Sequence, residues 1–176
     1  MKEDNAMKNS FWLLGTRVSV LADQANTGGR YDLIEGWFSP GTRTPPHRHS
    51  AYAEQVYVLD GEFTVWAVGR KVVLRPGDDL LIPAGTAHVV AATGDGPGRA
   101  LLVASPSGFA RLVTQAGTPD EGGGVPPSAA PDMDLFLRVS AELGDEMLGP
   151  PGALPDQAEI QTKSGYDRPG SPGRRR

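Results

Sequence analysis

Cysteine is absent from this 176-residue chain, so disulfides, thiolate metal sites and cysteine nucleophiles are all excluded. Histidine is nearly absent, at three residues. No run approaches the roughly 18 apolar residues of a membrane span. No apolar stretch near the amino terminus has the form of a signal peptide, so the expected location is cytoplasmic. A net charge of -4 gives no general attraction to nucleic acid, and the closing Arg174-Arg175-Arg176 reads as a solvated tail.

What the chain has in quantity is punctuation: 23 glycines and 16 prolines against 39% apolar residues. That combination excludes wholesale disorder and suits many short strands joined by tight turns. The expected organisation is a disordered segment 1–9, a β-barrel with an amino-terminal strand over 10–115, and a Gly/Pro-rich linker over 116–131. A helix over 132–147 and a mostly irregular tail over 148–176 complete it. Ser10 to Ala22 reads as one strand that could line the barrel, cross to a partner or cover a pocket. Tyr31 to Ser39 reads as the next, and Gly61 as a hairpin turn between VYVLD and EFTVWAV. In the helix, Asp132 or Asp134 is the cap; Leu135, Leu137 or Arg138, Val139 and Leu143 give the apolar stripe; Gly144 or Gly149 is the stop.

All three histidines fall in two segments, Gly41 to Gly61 and Gly77 to His88. His47 and His49 are two apart, so on an extended segment both imidazoles leave one face. Glu54 begins the run Gln55 to Leu59, and Glu54, Val56 and Val58 share a face by the same alternation. His88 follows the turn Pro83-Ala84-Gly85, which can swing its strand back toward the first pair. Three imidazole nitrogens and a carboxylate suit a divalent transition metal, here Fe, Mn, Ni, Co, Cu or Zn.

These segments carry a family resemblance. Gly41, five residues, His47-x-His49, four residues, Glu54, six residues and Gly61 resemble the first motif of the cupin superfamily. Gly77, five residues, Pro83-x-Gly85, two residues and His88 resemble the second, with Ala92 where that family usually has Asn. The resemblance spans roughly residues 30 to 115. It implies an all-β fold, a small double-stranded β-helix or jelly-roll barrel, here with a carboxy-terminal helix. It also implies a three-histidine, one-glutamate site made of His47, His49, Glu54 and His88. Cupins commonly pair through exposed strands, which implies a homodimer. SPSGF at Ser105 to Phe109 and LGPPG at Leu148 to Gly152 are similar to single-domain, quercetinase-like (flavonol 2,4-dioxygenase-like) members.

The chemistry this points to is a metal-dependent dioxygenase acting on a small aromatic or flavonol-like molecule, with Glu54 as a catalytic base. A non-enzymatic metal- or ligand-binding module, and a metal-dependent isomerase or hydrolase, stay open as alternatives. Candidate pocket residues are Phe38, Val56, Tyr57 and Val58, with Phe63, Val65 and Trp66. Their character fits an apolar or aromatic small-molecule substrate. Arg43, Arg48 and Arg70 read as surface groups, so no phosphate-binding cluster faces the ligands. Neither nucleic acid nor membrane is an expected partner.

Overall fold

The computed structural model describes residues 9–67, 70–122, 124–150 and 152–155. Two hairpin strands open the chain, β1 (Ser10–Leu13) and β2 (Thr16–Ala22), followed by a short helix α1 (Gln24–Thr27). Then come β3 (Asp32–Phe38), β4 (His47–His49), β5 (Ala53–Asp60), β6 (Phe63–Ala67), β7 (Arg70–Leu74), β8 (Asp79–Ile82), β9 (His88–Ala92) and β10 (Gly98–Ser105). The end is built from α2 (Phe109–Ala116), β11 (Thr118–Pro119), α3 (Met133–Leu143) and β12 (Asp145–Met147).

The strands form two antiparallel sheets, ordered β11-β1-β2-β3-β10-β5-β8 and β12-β4-β9-β6-β7. This is the all-β, jelly-roll arrangement expected. Alternation decides which residues meet between the sheets. Along β3 every second residue from Asp32 to Phe38 is buried, and along β5 Glu54, Val56 and Val58 turn inward. Facing them, β6 supplies Phe63 and Val65 and β9 supplies Val90 and Ala92. Phe38 and Phe63 meet edge to face, with ring centroids 5.1 Å apart. β10 passes over that pair at Gly98, where a Cβ would lie 2.7 Å from two carbons of the Phe63 ring. Ala92, at the motif's Asn position, is buried in this cluster, where an amide would lose water with no apolar gain.

Several expectations need correction. Ser10 to Ala22 is a hairpin rather than one strand, turning at Leu14 (φ 48°) and Gly15 (φ 85°). Two successive positive φ values match the twist of a two-residue hairpin, and Leu14 adopts one despite its side chain. The Gly61 turn is not a hairpin turn either. It carries the chain from one sheet to the other, because β5 pairs with β10 and β8 while β6 pairs with β7 and β9.

The chain expected to extend the barrel to residue 115 ends in helix α2, whose Phe109, Leu112, Val113 and Ala116 follow helical spacing. Buried Asp32 starts this helix by accepting from the Gly108 and Ala110 amides at 2.7 and 2.9 Å. In the span expected to be a linker, Thr118–Pro119 pairs with β1, and Asp120 meets Arg17 at 2.6 Å. The carboxy-terminal helix is shorter than 132–147. Asp132 caps it by accepting from the Leu135 amide, Gly144 ends it at φ 77°, and residues 145–147 are strand. Its buried stripe runs through Phe136 and Val139, whereas Leu137 is exposed.

Asn9, expected at the end of a disordered segment, is bonded, its carbonyl accepting from the Val20 amide at 2.9 Å. Expectations for residues 1–8 and for the tail beyond residue 155 lie outside the described residues.

Candidate metal centre

The site lies where the two sheets face each other. β4 turns His47 and His49 inward and leaves Arg48 outside, paired with Glu146. In register on the neighbouring strand, His88 of β9 stands opposite His47. The turn before His88 is tied to the first pair: Gly85, at φ 78°, donates its amide to the His49 carbonyl at 2.6 Å. Glu54 comes from β5 in the other sheet and closes the set from across the sandwich. The structure thus brings all four expected residues together.

The imidazoles are held in one orientation. Nδ1 of His47 donates to the Pro45 carbonyl at 2.8 Å, and Nδ1 of His88 to the Thr86 carbonyl at 2.9 Å. Nδ1 of His49 lies 2.7 Å from Oδ1 of Asp145. With each Nδ1 engaged, the other ring nitrogen is the one left to face an ion. The Nε2 atoms of His49 and His88 lie 3.3 and 3.2 Å from Oε2 of Glu54. The candidate ligand atoms of the four residues all fall within 4.8 Å of one another. Donors on opposite sides of an ion at about 2.1 Å each stand about 4.2 Å apart. Closing the set on one ion therefore asks only a small side-chain shift, and the residues fit a divalent metal.

The electrostatics agree. Burial works against charge on His49, but hydrogen bonds to Asp145 and Glu54 and their negative charges outweigh it, raising its pKa to about 9. Burial would likewise raise Glu54, yet bonds from His49 and His88 hold its carboxyl far below the usual range. His47 is lowered well below an ordinary histidine by burial and by its two imidazole neighbours. In the metal-free cluster His49 therefore favours its protonated form, beside Glu54 and Asp145. A divalent cation replaces that proton with a larger charge among the same donors.

Beside the ligands lies a cavity whose wall comes largely from outside the barrel motifs. Leu13 and Leu14 reach it from the amino-terminal hairpin, Phe109 and Leu112 from α2, and Phe136 from α3. Of the pocket residues expected from the sequence, Phe38 lines it. Val56, Val58, Phe63 and Val65 are fully buried core, and Tyr57 is 40% exposed. Trp66 is half-buried and sits under the Lys71 ammonium, 5.7 Å from its ring centroid. Arg43, expected as a surface group, is exposed and also borders the cavity.

Two residues near the ligands had no place in the sequence reading. Asp145 arrives on β12, directly opposite His49 in register. Tyr52, only 2% exposed, stacks on the His49 ring at 4.3 Å and donates its hydroxyl to Oδ2 of Asp145 at 3.2 Å. Burial and the nearby carboxylates push the Tyr52 hydroxyl pKa far up, so it stays a donor. The helical spacing of α2 was available as a signal; Asp145 offered none.

Comparison with known proteins places this geometry. Residues 37–104 match the family model described as Cupin domain. Quercetin 2,3-dioxygenase from Bacillus subtilis (strain 168) is 36% identical over 69 residues, which cover 39% of this chain and 20% of the relative. The aligned part is thus about a fifth of that curated relative's length. The crystal structure of a predicted oxalate decarboxylase from Thermotoga maritima superposes with a TM-score of 0.54 at 19% identity. That match covers 60% of this chain and 96% of the other, and shows the shared fold. The polyketide cyclase RemF from Streptomyces resistomycificus is 31% identical with a TM-score of 0.46, over 52% of this chain and 66% of its own. With both motifs, the two-sheet barrel and the family match in agreement, residues 37–104 of this chain form a cupin domain.

Proposed function

We propose that this cupin is a metal-dependent dioxygenase of a small aromatic, flavonol-like substrate, with His47, His49, Glu54 and His88 as the metal ligands. The observation that carries the reading is the convergence of three oriented imidazoles and one carboxylate at the edge of an apolar cavity. The likeness to a quercetin dioxygenase over 69 residues supports the substrate class.

A bound redox-active ion supplies Lewis acidity toward a substrate oxygen and a path for electrons to dioxygen, the oxidant taken from solution. The remaining work falls to the chain. Leu13, Phe38, Phe109 and Phe136 offer an apolar surface against which a flat ring system loses water. Glu54, whose carboxylate form its two imidazole neighbours favour, contacts both through Oε2. Its Oε1 takes part in neither contact and is the atom assigned to receive the proton of an enolic hydroxyl. The pair of roles, ligand and base, uses the two oxygens of one carboxylate.

A homodimer belongs to the same proposal. Tyr57 and Leu81, 40% and 55% exposed on neighbouring strands β5 and β8, supply apolar surface for pairing. Light scattering should then give about 37 kDa, twice the 18.6 kDa chain. A monomer mass at micromolar concentration removes that part.

The deciding experiment is dioxygen uptake by metal-loaded protein with a flavonol present. Uptake in step with loss of the flavonol's absorbance is expected. Binding without turnover, or turnover under strict anaerobiosis, would refute the dioxygenase reading.

A further inference from the structure

The three histidines are not held alike. His47 and His88 give their Nδ1 protons to backbone carbonyls, of Pro45 and Thr86. Only His49 has its Nδ1 against a carboxylate, that of Asp145, whose side chain is 1% exposed. The second oxygen of Asp145 accepts from Tyr52, whose ring also lies against the His49 ring. Burying a carboxylate takes it out of water at a cost, and packing alone does not call for one.

The backbone places it deliberately. Gly144 ends α3 in the left-handed region, and its carbonyl accepts from the Ser50 amide at 3.0 Å and the Ser50 hydroxyl at 2.7 Å. This pins the first residue of β12 beside β4. The register Asp145–His49, Glu146–Arg48 and Met147–His47 follows, with the inward carboxylate at the first of these pairs.

From this geometry we infer that Asp145, oriented by Tyr52, is a positioning residue of the metal centre that strengthens His49 as a ligand. The inference rests on the ligand set proposed above. A carboxylate on Nδ1 fixes the tautomer that leaves Nε2 for the ion, fixes the ring's rotation, and raises the electron density of the donor nitrogen. A backbone carbonyl does the first two but gives less of the third. It follows that the α3–β12 segment is part of the metal centre although it lies outside residues 37–104.

The test titrates Co2+ into chelator-stripped, full-length protein. Affinity is read by competition with a chromophoric chelator, and ligand geometry from the visible absorption bands of bound Co2+. Asp145→Asn keeps shape and an acceptor oxygen but removes the charge. It should weaken Co2+ binding by about 10- to 100-fold and shift the absorption bands. Tyr52→Phe should weaken it less, in the same direction. Glu146→Gln removes an equal charge one residue away, on the outward face where Glu146 pairs with Arg48, and should leave affinity within about twofold. His88→Ala separates the two levels of the argument. If it abolishes tight binding while Asp145→Asn binds Co2+ with wild-type affinity and spectrum, the inference about Asp145 is wrong and the ligand set stands. If His88→Ala itself binds normally, the ligand set fails. An equal loss in Glu146→Gln and Asp145→Asn would mean that only overall charge matters, which also overturns the inference.

Discussion

Truncating Phe136 probes how the appended helices are joined to the barrel. Phe136 is 4% exposed and packs with Leu112 and Val139 in a small cluster bordered by Leu13, Leu14 and Phe109. A buried phenylalanine cut to alanine costs about 3–5 kcal/mol in transfer and cavity terms. The cluster is a satellite of the main core and can partly collapse, so the low end, about 3 kcal/mol, is the expected cost of Phe136→Ala. For a chain of this size each kcal/mol moves the melting temperature by about 2–4 °C, giving a fall of about 6–12 °C. Leu137 is the matched control. It is adjacent in sequence but 45% exposed, and Leu137→Ala should stay within about 0.5 kcal/mol of wild type. Thermal unfolding followed by circular dichroism, in metal-free buffer, reads both. Equal effects at the two positions, or a Phe136→Ala melting point within 2 °C of wild type by this scale, would refute the packing of α3 against α2.

The other predictions concern the site. Glu54→Gln keeps the size of the side chain but removes the anion, so turnover should fall far more than the melting temperature. Steady-state rates that stay at wild-type values remove Glu54 from the mechanism. In the metal-free protein, His49 has a pKa raised from 6.5 to about 9, so the folded state holds a proton that the unfolded state loses first. Its contribution to stability is fully present below about pH 6.5 and is lost as pH rises through about 9. Urea denaturation of chelator-stripped protein should give a lower midpoint at pH 9.5 than at pH 6.5. A flat or rising midpoint over that interval contradicts the pairing of His49 with its two carboxylates.

The four-residue cluster was legible because alternation on a strand is local. The two-residue step from His47 to His49, and the same step along Glu54, Val56 and Val58, fix faces without knowledge of the rest of the fold. The strands of the sandwich were legible for the same reason. What escaped depends on contacts distant in sequence. The cavity wall is assembled from Leu13, Phe109, Leu112 and Phe136, which belong to three separate elements and have no common pattern. The Gly61 turn looks like a hairpin locally, and only the ladders of β5 and β6 with other strands reveal that it changes sheets. Asp145 follows a helix-ending glycine in an acidic pair, where either carboxylate could be solvated. Its partner lies 96 residues earlier. The helix register was misread at Leu137 because Leu135, Phe136 and Leu137 are all apolar, and burial had to choose among them.

On the proposed reading, four side chains from two sheets grip one ion. Elemental analysis of protein purified without added metal, alongside His47→Ala and His88→Ala, tests it most directly. Close to one transition-metal ion per wild-type chain is expected, with little in either variant while both still fold. Wild-type metal content in the variants, or protein that takes up no divalent metal at all, would contradict it.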